Sequence, residues 1–165
     1  RNVLGLEWAI IGFESGSNKV LRSLNKNATR EMNLKAAENC HKYGIRIFAN
    51  IMFGTPAEGK EDVDQTVDMV RIIKPSNVSP TTFMPYPGSY LYDECKRKGI
   101  IIAEGGNRVA NQAKIKGIDY DYINQAIQKC WQYQSLPVEE QEFFDNRLKK
   151  LDERGVMILA ENKIV

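Results

Sequence analysis

The sequence is poor in the residues that build metal centres and acid–base machinery. His41 is its only histidine, and its three cysteines, Cys40, Cys95 and Cys130, lie far apart in the chain. Such spacing matches neither a disulfide framework nor a metal-binding cluster, and an odd count suits a reducing, cytoplasmic setting. Cys40 and His41 are adjacent, but neighbours on a helix point about 100° apart and do not converge on one ion. No metal ligand set is therefore expected within the chain. Runs of like charge are also missing. The 23 basic residues are interspersed with 21 acidic ones for a net charge of +2, which argues against a nucleic-acid partner. No stretch approaches the roughly 18 apolar residues that cross a bilayer, and no charged, apolar leader opens the sequence. It starts at Arg1 in mid-pattern, without a methionine, as a truncated reading or an excised domain would.

What the sequence does contain is an alternation of short apolar strands and amphipathic helices, the order of parallel α/β units. Ala9–Phe13 reads as a buried strand, and Ser17 as the N-cap of a short helix over Asn18–Leu24. Thr29 caps a second helix reaching Tyr43, with Ala36, Ala37, Cys40 and Tyr43 on one face and Gly44 as its stop. Ile45–Phe53 is rich in β-branched and aromatic residues and reads as a long strand. A helix over Glu61–Ile73 follows, striped by Val63, Val67 and Val70 and ended by Lys74-Pro75. A third strand over Val78–Met84 leads to a helix over Tyr90–Arg97, stopped by Gly99. Beyond Ile100 the character changes. A linker around Glu104–Asn107 precedes two helices, Tyr120–Gln134 and Val138–Arg154, whose apolar faces carry Ile123, Ala126, Ile127 and Cys130, then Phe144, Leu148 and Leu151. Residues 156–165 read equally as strand or tail.

Parallel α/β sheets and barrels bind ligands at the carboxyl ends of their strands, so the three strand-to-helix loops carry the functional information. In the first, Gly12-Phe13-Glu14-Ser15-Gly16-Ser17, two glycines allow a tight turn, and Glu14 and Ser15 have the chemistry to bond a sugar's vicinal hydroxyls. A capped turn with Glu14 favoured by the positive helix end reads the same residues as well. In the second, Gly54 follows an apolar strand, so a flat ring could lie against backbone with Ile51 or Phe53 as an apolar platform. Glycine followed by Pro56 is also an ordinary turn. In the third, Pro85 and Pro87 stiffen the strand exit, Gly88 permits a positive φ, and Tyr86 stands near the mouth.

Taken in order, Ile11–Ser17, Leu24-Asn25-Lys26, Met52–Pro56 with Glu61-Asp62, and Pro85–Ser89 resemble the later strands of a radical S-adenosylmethionine (SAM) core. The Glu-Ser-Gly-Ser variant is most similar to the branch with an upstream cobalamin-binding domain. The resemblance runs from about Leu6 to Gly99. It implies a partial (βα) barrel of about three parallel units, half of the family's six-strand barrel, in residues 1–99, with residues 100–165 as a helical annex. It also implies roles. Glu14 and Ser15 match the segment that contacts the SAM ribose, with Ser17 close by. Ile51, Phe53 and Gly54 match the strand end packed on the adenine. Met84 lies in the last core strand. Lys26 sits where a basic side chain could reach the methionine carboxylate, although a solvated lysine near a helix end is the favoured reading there. Tyr86 and Tyr90 fall on the substrate side. Catalytic residues are not identified.

The family's first loop carries CxxxCxxC, whose thiolates hold a 4Fe-4S cluster. That motif is not in this sequence, nor is the glycine-rich loop for the SAM amino group, and Ala57 replaces a usual glycine. The resemblance therefore implies a radical SAM enzyme fragment that supplies the ribose and adenine side of the site, with cluster ligands outside the chain. In intact members the reduced cluster cleaves SAM to a 5′-deoxyadenosyl radical, and in this branch cobalamin reaches the site through the upstream domain. The expected partners are the missing N-terminal half of the core or a second copy, and a small-molecule substrate. Two other readings stand beside it: a non-catalytic half-barrel module binding a nucleotide or partner, and an ordinary α/β-barrel enzyme. The last would need acids, bases or metal ligands at the strand ends.

Overall fold

The computed structural model describes residues 5–102 and 114–135. The chain divides into a unit ending at Ser135 and one starting at Leu136, and every described residue belongs to the first. The linker at 104–107, the helix at 138–154 and the segment 156–165 lie outside the described residues.

Three parallel strands alternate with helices: β1 (Trp8–Glu14), α1 (Asn18–Ser23), α2 (Arg30–Lys42), β2 (Arg46–Phe53), α3 (Lys60–Ile73), β3 (Asn77–Thr82), α4 (Tyr90–Arg97) and α5 (Tyr120–Gln132). The sheet order is β1-β2-β3, with Trp8 beside Arg46 and Phe48 beside Asn77 at the starts of the two ladders. This is the expected partial (βα) barrel. The caps read from the sequence close the helix starts: Ser17, Thr29 and Ser89 accept from Val20, Met32 and Tyr92 N–H. Each such cap is worth about 1 kcal/mol. Gly44 and Lys74 end α2 and α3 in left-handed conformations, at φ 63° and 43°.

The pleat of β2 sorts its side chains. Ile47, Ala49, Ile51 and Phe53 are buried in one core with Phe13 and Val78 of the neighbouring strands, Ala37 of α2, Met69, Val70 and Ile73 of α3, and Ile123, Ala126 and Cys130 of α5. Burying each large apolar side chain contributes about 1.5–3 kcal/mol, so this helix-covered face holds the sheet. On the other face Ile10, Phe48, Asn50, Met52, Ser79 and Thr81 are half-buried or exposed, and Asn77 at the start of β3 is buried. Ile10 is 75% exposed. One detail differs from the sequence reading: Tyr43 is exposed, because α2 stops at Lys42 and its cap turns off the apolar stripe. A helix face reads true only while the helical period lasts.

α5 lies against α3 and β3 on the covered face. Tyr122 Oη donates to Asp64 Oδ1 at 2.7 Å, Lys60 pairs with Asp119 at 2.8 Å, and Ser135 N–H donates to Pro75 O at 3.0 Å. Among the described residues, no helix is long and apolar enough to cross a membrane.

Candidate functional site

The carboxyl ends of the three strands form one rim. β1 reaches it through a bulge: Gly12 sits beside Asn50, and then Glu14 beside Ile51. Glu14 has φ 62°, a left-handed conformation that costs a residue with a Cβ about 1 kcal/mol. The turn lays the Glu14 carboxylate back over Gly12. A Cβ on Gly12 would overlap Glu14 Oε1 and stand 3.0 Å from Lys26 Nζ, so a side chain there would push this pair aside. Lys26 Nζ donates to that same Oε1 at 3.2 Å, both side chains remaining part-exposed. Two residues expected near SAM are thus brought together, a cation holding an anion ready at the strand end.

Ser15 and Ser17 lie behind them. Ser15 is 0% exposed and Ser17 2%. Ser15 Oγ shares a hydrogen bond with Thr66 Oγ1 at 3.0 Å and accepts from Ser17 N–H at 3.1 Å. Thr66 Oγ1 also accepts from Gly16 N–H at 2.9 Å. Ser17 Oγ donates to Asp62 Oδ1 at 2.7 Å, while Asp62 Oδ2 accepts from Lys19 Nζ at 2.5 Å and Gly59 N–H at 2.8 Å. Burial alone would raise the Asp62 carboxyl, but the bonds from Lys19, Ser17 and Gly59 outweigh it and hold the group below its usual range. Asn33 Nδ2 donates to Phe13 O at 3.0 Å. Sequence reasoning missed Asp62, Thr66 and Asn33 as this frame. Their signal is polarity on a buried helix face: Thr66 lies beside Val63, Val67 and Val70.

At the end of β2, Ile51 and Phe53 point into the helix-side core, so on the open face these two present backbone. Met52 is the side chain on that face. Gly54 turns the chain at φ 81°, and its vacant Cβ position lies 3.1 Å from Ile123 Cδ1. The loop closes on itself, with Glu58 N–H donating to Thr55 O at 3.0 Å and Gly54 N–H donating to Glu58 Oε2. Thr55 Oγ1 and Glu58 Oε1 are buried with no hydrogen-bond partner. Burial pushes the Glu58 carboxyl up to about 7, against the bonds from Gly54 and Thr55 that lower it.

A raised carboxyl has a stability consequence. The native state keeps a proton that the unfolded chain has released, so the stabilisation is full below about pH 4.5. It is lost as pH rises through about 7. A shift of that size corresponds to at most about 3 kcal/mol. Glu58→Gln is expected to remove this decline. Thermal unfolding followed from pH 5 to pH 8 checks it, and the variant should be the more stable protein at pH 8.

Beyond β3, Met84, Tyr86 and Tyr90 line a cleft of about 520 Å³ with Leu24, Met52 and Thr81. Tyr86 and Tyr90 are 42% and 66% exposed. The cleft therefore gathers the third loop against the open face, beside the turn that carries Lys26.

These residues fit SAM and not its iron–sulfur cluster. A carboxylate, a cation, a glycine turn and an apolar cleft lie along the rim. The cysteines do not. They sit on α2, α4 and α5, and burial pushes all three thiols up, Cys130 to about 12, whereas cluster ligation needs thiolates. Among the described residues, no group of His, Cys, Asp or Glu side chains is placed to hold a metal.

Comparison with known proteins gives the same direction. The family profile described as the Radical SAM superfamily matches residues 4–70. The chain is 30% identical over 105 residues to a bacteriochlorophyllide d C-8(2)-methyltransferase of Chlorobaculum tepidum, covering 61% of this chain and 23% of that protein. It is 21% identical over 130 residues to an uncharacterized methyltransferase of Pyrococcus horikoshii, covering 77% and 28%. It is also 30% identical over 103 residues to a tRNA-2-methylthio-N(6)-dimethylallyladenosine synthase of Caldicellulosiruptor saccharolyticus, covering 61% and 20%. The chain thus spans about a quarter of the length of the curated relatives it matches. With its parallel strand–loop–helix order, the part of the chain over residues 4–70 matches the Radical SAM superfamily.

Proposed function

We propose that this chain is part of a radical SAM enzyme and supplies the ribose and adenine side of its SAM site. The observation that carries the reading is Glu14: a left-handed residue at the end of β1, its carboxylate held by Lys26 over a glycine that leaves it room. Strain kept at a strand end is common where a ligand is gripped. In this reading Glu14 accepts from the ribose hydroxyls, and Ser15 and Ser17 keep it in place through Thr66 and Asp62. Met52 and Met84 flank the adenine, which lies against the backbone of Ile51, Phe53 and Gly54. Lys26 is shared between Glu14 and the methionine carboxylate. Tyr86 and Tyr90 line the side where a small-molecule substrate enters. When bound, SAM supplies in this family the C–S bond whose reductive cleavage starts 5′-deoxyadenosyl radical chemistry.

Residues 1–99 provide the core half and residues 100–165 its helical extension. The cluster ligands come from elsewhere in the enzyme, and so does cobalamin, through an upstream domain. The reaction class is methyl transfer, a reading supported by the methyltransferase names among the relatives, or rearrangement, and the setting is cytoplasmic. β1 pairs on one side only among the described residues, an edge that invites pairing. We assign its cover to the N-terminal half of the core or to a second copy of the chain.

Isothermal titration of the 165-residue chain with SAM tests the binding half of this reading. Saturable binding that Lys26→Met weakens is expected, and no binding at millimolar SAM would sink it. Anaerobic iron–sulfur reconstitution tests the other half: the chain alone should hold no stoichiometric 4Fe-4S cluster and show no SAM cleavage.

A further inference from the structure

Glu58 is a half-buried acid that the proposed site does not use directly, yet it is bonded to the site's glycine turn. Its Oε2 accepts the Gly54 N–H across four residues, and its own N–H donates to Thr55 O at 3.0 Å, so the loop 54–58 is a closed ring of backbone and one carboxyl. Gly54 needs holding. It sits at φ 81°, where the chain leaves β2 for α3, and atoms of Ile123, Thr82 and Ile118 lie 3.1, 3.4 and 3.6 Å from its vacant Cβ position. The other carboxyl oxygen, Oε1, and the neighbouring Thr55 Oγ1 are buried without partners. Buried polar atoms are almost always bonded, and an unpartnered carboxyl oxygen makes the ionised form expensive. The charged groups whose fields reach Glu58 are Asp62 of α3 and Lys19 of α1, of opposite sign and themselves paired at 2.5 Å. The three atoms nearest the vacant Cβ position of Gly54 belong to the uncharged Ile123, Thr82 and Ile118.

We propose that Glu58 is a positioning residue that acts as a proton-linked clamp on the turn after β2. When ionised, its Oε2 grips the Gly54 N–H and fixes the strand end presented to a ligand. When it takes a proton from solvent, that grip weakens and the turn loosens. A hydrogen bond to a charged acceptor is about twice as strong as one to a neutral acceptor, and the group titrates near neutral pH, so the two states interchange over a narrow range. The consequence for SAM rests on the function proposed above: SAM affinity should rise by about fivefold from pH 6 to pH 8.

The test uses the 165-residue chain and two readouts. By NMR, the Gly54 amide of the wild type should shift with a midpoint near pH 7, and the Glu58 δ-carbon should follow the same curve. In Glu58→Gln the Gly54 shift should be flat. Glu58→Asp, whose shorter side chain cannot reach across the turn, should also be flat and serves if the amide variant folds poorly. Calorimetry with SAM at pH 6 and pH 8 should show about fivefold tighter wild-type binding at pH 8 and equal affinities for Glu58→Gln. A Gly54 amide that does not move between pH 5.5 and pH 8.5, or that keeps its titration in both variants, overturns the clamp. If Gly54 titrates as expected but SAM binds at neither pH, the clamp stands and the SAM-site reading falls.

Discussion

Replacing Gly16 by alanine is expected to destabilise the protein by about 3 kcal/mol or more, a fall in Tm of about 10 °C. The first loop lies directly on the backbone of α3. A Cβ at residue 16 would overlap the carbonyl oxygen of Gln65 and stand 2.7 Å from both Gln65 C and Thr66 Cα. These are backbone atoms in a packed helix, so nothing swings aside. The same carbonyl is further tied down by Arg30, whose Nη1 donates to it at 2.7 Å. Relief requires moving the loop off α3, which breaks the Gly16–Thr66 and Ser15–Thr66 bonds together. Gly88→Ala provides the contrast. Gly88 has φ 87° but nothing within 4 Å of its Cβ position, so its cost is conformational alone, about 1 kcal/mol. Urea titrations of the two variants decide the matter: equal midpoints would mean that the loop is not seated on α3 as described.

The second large effect concerns ligand rather than stability. Glu14→Gly should leave stability unchanged or raise it by up to about 1 kcal/mol, because glycine adopts φ 62° without strain. The same change should weaken SAM binding by tenfold to a hundredfold, on the order of a hydrogen bond to a charged group. Glu14→Gln keeps the shape and removes the charge, so it should fall between the two and free Lys26 from its partner. Thermal unfolding and calorimetry with SAM, run on one preparation of each variant, separate the two effects. An undiminished affinity in Glu14→Gly would remove Glu14 from the site.

Much of this arrangement was legible in the sequence because its signals are local. Ser17, Thr29 and Ser89 cap helices through bonds to residues three positions on, and such bonds leave a plain residue pattern. β2 was read from its β-branched and aromatic content, and its alternation told that one face is buried. Alternation does not say which face meets the ligand. Ile51 and Phe53 were therefore expected as a platform, whereas the structure turns them into the helix-side core and leaves Met52 on the open face. Ser15 shows the other limit. Its partner Thr66 lies in a different βα unit, and no local pattern announces a bond made only once β1 and α3 are packed. Glu58 escaped for the same reason: its burial is a property of the closed loop and its neighbours, not of the five residues that form it.

The pairing of the sheet also sets a timetable. Trp8 waits for Arg46, and Phe48 for Asn77, with a helical crossover intervening each time. Among the described residues no strand has a hairpin neighbour, so these three strands have no local nucleus, and non-local pairing of this kind is slow. At a synthesis rate of roughly 5–20 residues per second, β1 leaves the ribosome some seconds before its partner exists. During that interval Phe13, fully buried in the folded protein, is not yet covered by β2 and the helices that follow it. Whatever keeps the nascent strand from aggregating must act in those seconds, before any cofactor has a rim to bind.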